Sequence, residues 1–252
     1  MESEFISLDK VGEKAKWLRN FLKDIPYWPK PLAPICIHCD SQVAIGTVKS
    51  MMYSVTSSHR KNCTRPSAPE MEHVCGRPLG LRFNMKTGDL YIADAYLGLQ
   101  VVGPKGGLAT PLVQKFEGKP LLFTNDVDVD DHDDVIYFTD TSTKYQRRQF
   151  LASFSSGDAT GRLMKYVKST KKITVVLGGL AFANGVTVSK NRTFVFVAET
   201  TNFRILRYWL KGPFAGTHDT FAELPGFPDN IRINSKGELW VALQAISSVL
   251  SI

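Results

Sequence analysis

The hydrophobic positions of the chain follow two different periods, and the change between them falls near residue 60. From Phe5 to Ile25, apolar residues recur at three- and four-residue steps, which predicts an amphipathic helix. Alternation from Ile35 to Asp40 predicts a short strand, and a weaker helical pattern follows from Gln42 to Tyr53. The first part therefore indicates a small helix–strand–helix segment over residues 1–60.

From about residue 61 to residue 252 the pattern consists of short β-branched and aromatic runs, each preceded by a turn rich in Gly, Asn, Asp or Lys. Four such runs are Leu90 to Ala93, Val135 to Thr139, Phe194 to Ala198 and Leu239 to Ala242. Their aromatic residues are spaced by 46, 59 and 44 positions, at Tyr91, Tyr137, Phe196 and Trp240. This spacing is close to one four-stranded propeller blade, whereas a sandwich or irregular barrel does not explain the longer period. The sequence therefore predicts a mainly β fold, a partial β-propeller of about four blades.

A polar pair opens three of the predicted repeats: Asn125-Asp126, Asn184-Gly185 and Asp229-Asn230, each before an alternating strand. The innermost strands of a propeller line a central channel, so equivalent residues of successive blades converge on its axis. Calcium takes about six to eight oxygen ligands, and Asn carbonyls with one or two carboxylates suit it. Asn125, Asn184, Asp229 and Asn230 are therefore candidate calcium ligands, with ordinary turn formation as the alternative explanation.

Composition and charge exclude several classes of function. The chain has 252 residues, 43% of them hydrophobic, and a formal charge of +7, as expected of a globular protein. The basic residues form no dense block, so nucleic acid is not an expected partner. No apolar run approaches the roughly 20 residues of a transmembrane helix, and Met1 to Lys10 contain no apolar signal-peptide core. The residues alone predict a cytoplasmic protein and indicate no oligomeric state.

Motifs of the second part resemble the strictosidine synthase-like family of plants, in the family's order from about residue 61 to 243. They are Cys63 to Cys75 with the following Gly76-Arg77-Pro78-Leu79-Gly80, Leu90 to Tyr96, Ile136 to Asp140, Gly161 to Tyr166, Val197 to Glu199 and Arg207 to Pro213. The resemblance implies a six-bladed propeller, of which this chain supplies about four blades, with a small-molecule ligand in the central channel. It also implies a Cys63–Cys75 disulfide and residence in the secretory pathway or vacuole. In that pathway the Asn-x-Thr motifs at Asn62 and Asn191 would be glycosylated.

The resemblance also bears on activity. The named member of the family condenses tryptamine with secologanin in a Pictet–Spengler reaction, and its catalytic glutamate lies in a last blade beyond residue 252. Glu199 and Glu238 belong to other motifs, so no catalytic residue is assigned and synthase activity is not expected. The polar pairs resemble calcium-binding positions of the related paraoxonase and gluconolactonase propellers, although a further glutamate ligand has no match, which makes the site incomplete. The alternatives are a calcium-dependent esterase or lactonase, and a noncatalytic binding module.

The first part resembles the ribonuclease H region of copia-type retrotransposon polyproteins, on Glu2 to Leu8, Glu13 to Arg19 and His38 to Ile45. That family hydrolyses phosphodiesters with two metal ions, and Glu4 and Asp40 match two of its four ligands. Nuclease function is not expected because the other two ligands have no match. The simplest account is a fused gene, with a ribonuclease H-like remnant over residues 1–60 and a partial propeller over residues 61–252.

One acidic turn needs a separate interpretation. His132 lies among the aspartates of residues 130–134, which could be mistaken for a metal cluster. Because the turn falls between two strands of one predicted blade, a solvated hairpin is the expected structure.

Overall fold

The computed structural model describes Cys63 and residues 69–132, 134–234 and 236–246. A 3₁₀ turn, Pro69–Met71, leads into the short helix α1 (Glu72–Cys75), and a second turn, Arg147–Gln149, leads into helix α2 (Phe150–Ser155). Within these ranges no helix is long and apolar enough to cross a membrane. The predicted helix–strand–helix segment, with Glu4 and Asp40, lies outside the described residues, and so does Asn62.

The described strands form successive antiparallel sheets, which we call blades 1 to 4 in chain order. Blade 1 consists of β1 (Pro78–Phe83), β2 (Leu90–Asp94), β3 (Gly98–Val102) and β4 (Thr110–Val113). A small hairpin, β5 (Lys115–Phe116) and β6 (Lys119–Pro120), follows it. Blade 2 consists of β7 (Thr124–Asp130), β8 (Val135–Asp140), β9 (Gly161–Val167) and β10 (Lys172–Leu180).

Blades 3 and 4 continue the same order. Blade 3 consists of β11 (Ala183–Val188), β12 (Phe194–Glu199), β13 (Arg204–Trp209) and β14 (His218–Glu223). Blade 4 has two described strands, β15 (Gly226–Ile233) and β16 (Leu239–Ile246). The first strands of the blades, β1, β7, β11 and β15, pack against one another in that order and form the inner wall.

The predicted turn-and-strand repeat is confirmed. The second strand of each blade carries one of the four repeat aromatics, Tyr91, Tyr137, Phe196 and Trp240. The longest spacing, between Tyr137 and Phe196, arises because the β8–β9 connection, residues 141–160, is long enough to contain α2. The fold is therefore mainly β, with antiparallel blades arranged as a partial propeller.

The apolar core lies between the faces of successive blades. Both faces of a central strand are covered by neighbouring blades, so β8 is buried along its whole length. One cluster lies between blades 1 and 2 and includes Leu99, Val127 and Phe138. The next two clusters include Leu163, Val186 and Val197, and then Phe196, Ile205 and Ile231. Burial of these side chains, each worth about 1.5–3 kcal/mol, holds the blades together.

The inner strands approach one another so closely that two positions accept only glycine. A Cβ on Gly80 would lie 2.5 Å from Cα of Asp126, in the next inner strand. A Cβ on Gly185 would lie 2.6 Å from the carbonyl oxygen of Asp229 and from the amide nitrogen of Ile231. These contacts involve backbone atoms that cannot move aside, so the two glycines fix the spacing of the inner wall.

The disulfide between Cys63 and Cys75 is confirmed, with a Cα–Cα distance of 5.4 Å. Both cysteines are fully buried, and Cys75 is the last residue of α1. The chain-entropy model assigns a loop of this length about 3 kcal/mol of stabilisation. The disulfide therefore anchors α1 to the polypeptide that precedes blade 1.

Candidate functional site

The three polar pairs lie at one end of the inner wall, which we call the polar end. Thr124 pairs with Asp140, and Ala183 pairs with Glu199, so Asn125 and Asn184 occupy equivalent places in successive blades. The sequence predicts these pairs before the strands, but the structure places them inside the strands. The reason is that the antiparallel ladder begins one residue before Asn125 and Asn184 and three residues before Asp229.

The Asn125 side chain belongs to a hydrogen-bond relay between blades 2 and 3. Its Nδ2 donates to Oγ1 of Thr141 (2.9 Å), and this hydroxyl donates to the carbonyl oxygen of Ala183 (2.7 Å). Ala183 directly precedes Asn184 in the next inner strand. The relay therefore places the second polar residue relative to the first.

The same relay repeats between blades 3 and 4. Nδ2 of Asn184 donates to Oγ1 of Thr200 (3.1 Å), which donates to the carbonyl oxygen of Pro228 (2.6 Å). Pro228 directly precedes Asp229, so Asp229 is the structural equivalent of the two asparagines. Because each amide nitrogen points to its threonine, each amide oxygen points away from it.

Two amide oxygens of the polar pairs, those of Asn184 and Asn230, have no hydrogen-bond partner. Oδ1 of Asn184 is unpartnered although the residue is 1% exposed, and Oδ1 of Asn230 is also buried and unpartnered. A buried polar atom without a partner costs about 1–3 kcal/mol, so such atoms often mark a ligand site. Their chemistry suits a hard cation, which prefers carbonyl and carboxylate oxygens.

Asp229 supplies a carboxylate next to the Asn184 amide. It accepts a hydrogen bond from Nε2 of Gln244 (3.0 Å) and is hydrogen bonded to Asn184. Burial raises the pKa of Asp229 above its usual value, against the lowering effect of these two hydrogen bonds. Within the described ranges no three His, Cys, Asp or Glu side chains form a group that could hold a metal. The candidate oxygens here come from asparagine amides and one carboxylate.

A second row of side chains, which we call the charged row, crosses the inner wall. It lies three residues after Asn125, Asn184 and Asp229 in their strands. Its members are the direct ladder partners of the repeat aromatics: Arg82 opposite Tyr91, Asp128 opposite Tyr137, Thr187 opposite Phe196 and Arg232 opposite Trp240. Nε of Arg82 lies 2.6 Å from Oδ1 of Asp128, and Thr187 donates to Oδ2 of Asp128 (2.9 Å). Burial raises the pKa of Asp128, and Arg82 opposes that shift.

Arg232 makes a two-pronged ion pair with Asp126 that sequence reasoning did not find. Its Nη1 and Nη2 lie 2.6 and 2.9 Å from the two carboxylate oxygens of Asp126, which is fully buried. The amide of Val186 also donates to this carboxylate (2.9 Å). The pair joins blades 2 and 4 across the intervening blade.

An aromatic layer covers the polar end. A phenylalanine stands two residues before each polar residue, at Phe123, Phe182 and Phe227. The rings of Phe123 and Phe182 meet edge to face at 5.7 Å, and Phe227 contacts Phe154 and Phe203 at 5.1 and 4.4 Å. The repeated Phe-x-Asn or Phe-x-Asp pattern was visible in the sequence and would have revealed this layer.

The opposite end of the inner wall is a charged cleft of about 220 Å³, lined by residues that include Arg82, Asp128, Lys190 and Arg192. His132 also lines it, exposed in the β7–β8 hairpin as expected. Asn191 is exposed in the neighbouring β11–β12 turn, where its Oδ1 accepts a hydrogen bond from Oγ1 of Thr193 (2.7 Å). Glycosylation at Asn191 stays a prediction.

The relay predicts that Thr200→Val destabilises the protein by about 1–3 kcal/mol, because valine leaves the buried amide of Asn184 and the carbonyl of Pro228 without their partner. Urea unfolding would measure the change. Thr201→Val is a matched control, since Oγ1 of Thr201 is buried and already unpartnered. Equal losses in the two variants would contradict a stabilising role for the relay.

The comparisons with known proteins agree with this architecture. A family model described as strictosidine synthase matches residues 125–213, which include Asn125 and Asn184. Strictosidine synthase-like 10 of Arabidopsis thaliana is 68% identical over 193 residues, covering 77% of this chain and 52% of the relative. Strictosidine synthase-like 13 of the same plant is 54% identical over 172 residues, covering 68% and 42%. The chain is therefore similar to strictosidine synthase-like proteins over most of its described residues.

The chain spans about half the length of the curated relatives it matches. A solved structure with a provisional gluconolactonase assignment has a TM-score of 0.51 and 18% identity, over 66% of this chain and 57% of that one. At this identity the likeness shows the fold alone. The ribonuclease H-like origin of residues 1–60 and the boundary near residue 60 stay predictions.

Proposed function

We propose that this strictosidine synthase-like propeller binds calcium through Asn125, Asn184, Asp229 and Asn230 and acts as a hydrolase-type, ligand-binding protein. The observation that carries the proposal is the unpartnered Oδ1 of Asn184, nearly fully buried and next to the Asp229 carboxylate. A buried oxygen without a partner opposes folding unless a water or a ligand satisfies it. A bound cation would satisfy it.

The residues of the polar end have distinct roles in this proposal. The threonine relays fix the orientation of the asparagine amides, which leaves their carbonyl oxygens available to the ion. Asp229 supplies the negative charge. When bound, calcium would act as a Lewis acid on a carbonyl or phosphoryl oxygen. The aromatic layer beside it excludes water and fits the apolar part of a neutral ester or lactone.

A noncatalytic binding module is the second candidate. It is favoured by the ion pairs and hydrogen bonds that engage the neighbouring carboxylates. Asp126 is held by Arg232, and Asp128 is held by Arg82. Glu199 accepts hydrogen bonds from Arg204 and from the amide of Ala181. A carboxylate engaged in this way is a poor general base, so these three carboxylates support binding better than proton abstraction. For the same reason we do not propose the synthase condensation.

The disulfide supports a location in the secretory pathway or vacuole, because oxidising compartments preserve such bonds. We propose this location, with glycosylation at Asn191 as its consequence.

Calorimetric titration of the chelator-treated protein with calcium tests the proposal. We expect Asn184→Ala to weaken binding by about 10-fold or more, whereas Asn202→Ala, an exposed residue in the β12–β13 turn, should bind as the unmodified protein does. Absence of a heat of binding in the unmodified protein would exclude the calcium site.

Turnover separates the two candidates. Hydrolysis of an aryl ester or lactone that is lost on chelation supports the hydrolase, whereas calcium binding without turnover supports the module. Product formation from tryptamine and secologanin would contradict both.

A further inference from the structure

The β8–β9 connection bends over the polar end. We call residues 144–156, which include α2, the cap segment. Its base is fixed where Oγ of Ser142 donates to Asp158 (2.6 Å) and accepts from the amides of Lys144 and Tyr145 (3.0 and 2.9 Å). The cap segment is thus a loop whose base is fixed by hydrogen bonds.

The far side of the cap segment packs against the aromatic layer beside the candidate calcium site. Phe154 contacts Phe227, two residues before Asp229, and packs against the cluster that contains Phe123 and Phe182. The outer face of α2 carries little packing, since Leu151 is 69% exposed. A helix of six residues is not stable alone. Contacts outside α2 must therefore hold it in place.

Glu72 supplies such contacts from a distant part of the chain. Its carboxylate is almost fully buried and accepts from Nη1 of Arg147 and from the Tyr96 hydroxyl, each at 2.9 Å. Oη of Tyr96 in turn accepts from the amide of Arg148 (3.1 Å). Glu72 therefore holds two consecutive residues of the cap segment.

The hydrogen bonds that join Glu72 to Tyr96 and Arg147 are of a kind that persists. Burial, then the hydrogen bond to Glu72, raises the pKa of Tyr96 to about 12, so its hydroxyl remains a donor. The disulfide anchors Cys75, three residues after Glu72, at the end of α1. Charge-assisted hydrogen bonds to a buried carboxylate are stronger than neutral ones.

We propose that Glu72 is a positioning residue that latches the cap segment over the polar end, and that a ligand enters this end when the latch opens. The latch itself is independent of the proposed function, which supplies only the identity of the site beneath the cap.

Hydrogen exchange and limited trypsin digestion of the whole chain test the latch, both in chelator so that calcium plays no part. In Glu72→Gln we expect exchange in the cap segment and cleavage after Arg147 and Arg148 to increase about 10-fold. Exchange in the core strand β8 should not change. Glu70→Gln, which changes an exposed residue of the preceding 3₁₀ turn, is the matched control. Equal cap exchange in the two variants would overturn the proposal.

A double-mutant cycle distinguishes a latch from general loosening of α1. Arg147→Met should release the cap segment as Glu72→Gln does, and the two substitutions together should add little to either alone. Additive effects would overturn the latch. Should Glu72→Gln fail to fold, Arg147→Met and Tyr96→Phe each still test it, because both must raise cap exchange.

Discussion

Arg232→Met is expected to destabilise the propeller by about 3–5 kcal/mol, the cost of removing one partner of a buried ion pair. Asp126 is fully buried, and both of its carboxylate oxygens are bound by the Arg232 guanidinium. Methionine keeps much of the side-chain volume but leaves the carboxylate with the Val186 amide alone. Urea unfolding followed by circular dichroism would measure the loss.

Two further variants identify the cause. Lys168→Met breaks the ion pair between Lys168 and Asp134, whose side chains are 26% and 44% exposed, respectively. The free energy of unfolding should fall by at most about 1 kcal/mol. Adding Asp126→Asn to Arg232→Met removes the stranded charge and should recover most of the stability. A loss below about 1 kcal/mol in Arg232→Met alone would show that the pair does not hold the inner wall.

The blade repeat could be predicted because its signals are local. Tyr91, Tyr137, Phe196 and Trp240 stand in the second strand of each blade, after a short turn, and each blade fits within a few tens of residues. A strand buried on both faces is rich in β-branched and aromatic residues wherever it occurs. Local composition therefore located the strands and their order.

The candidate site was only partly predictable, since its contacts join distant parts of the chain. The in-phase pairs identified Asn125, Asn184 and Asp229, because equivalent positions of a propeller meet at its axis. Thr141 and Thr200 lie 16 residues beyond their asparagines, and Arg232 lies 106 residues beyond Asp126. No local pattern specifies such partners, so their roles emerged only from the folded chain.

The polar end also contains features that are unfavourable to a stable fold. The two unpartnered amide oxygens and the half-buried Asp229 carboxylate each oppose folding in the absence of a ligand. The charged row beside them is, in contrast, fully paired between Arg82 and Asp128 and between Arg232 and Asp126. On the proposed function, these unpartnered oxygens serve ion binding rather than folding.

Asp229→Asn is therefore expected to have opposite effects on calcium binding and on stability. Calcium affinity should fall by about 100-fold or more, because the substitution removes the only carboxylate among the candidate ligands and ligand charge sets calcium affinity. Stability without calcium should rise, since the raised pKa of Asp229 means that its ionised form is disfavoured in the folded state. Thermal unfolding in chelator and in calcium would measure both effects.

The linkage between calcium binding and folding gives the expected size of the difference between the two proteins. At a free calcium concentration of about 100 times Kd, the unmodified protein should gain about 2.7 kcal/mol, whereas Asp229→Asn should gain almost nothing. Asp219→Asn, which changes a 44% exposed carboxylate of blade 3, should keep the full calcium response. A calcium response that survives in Asp229→Asn, or a lower stability of that variant in chelator, would show that Asp229 is buried for structural reasons. If both expected results are obtained, the Asp229 carboxylate lowers the stability of the calcium-free protein and is retained because it binds the ion.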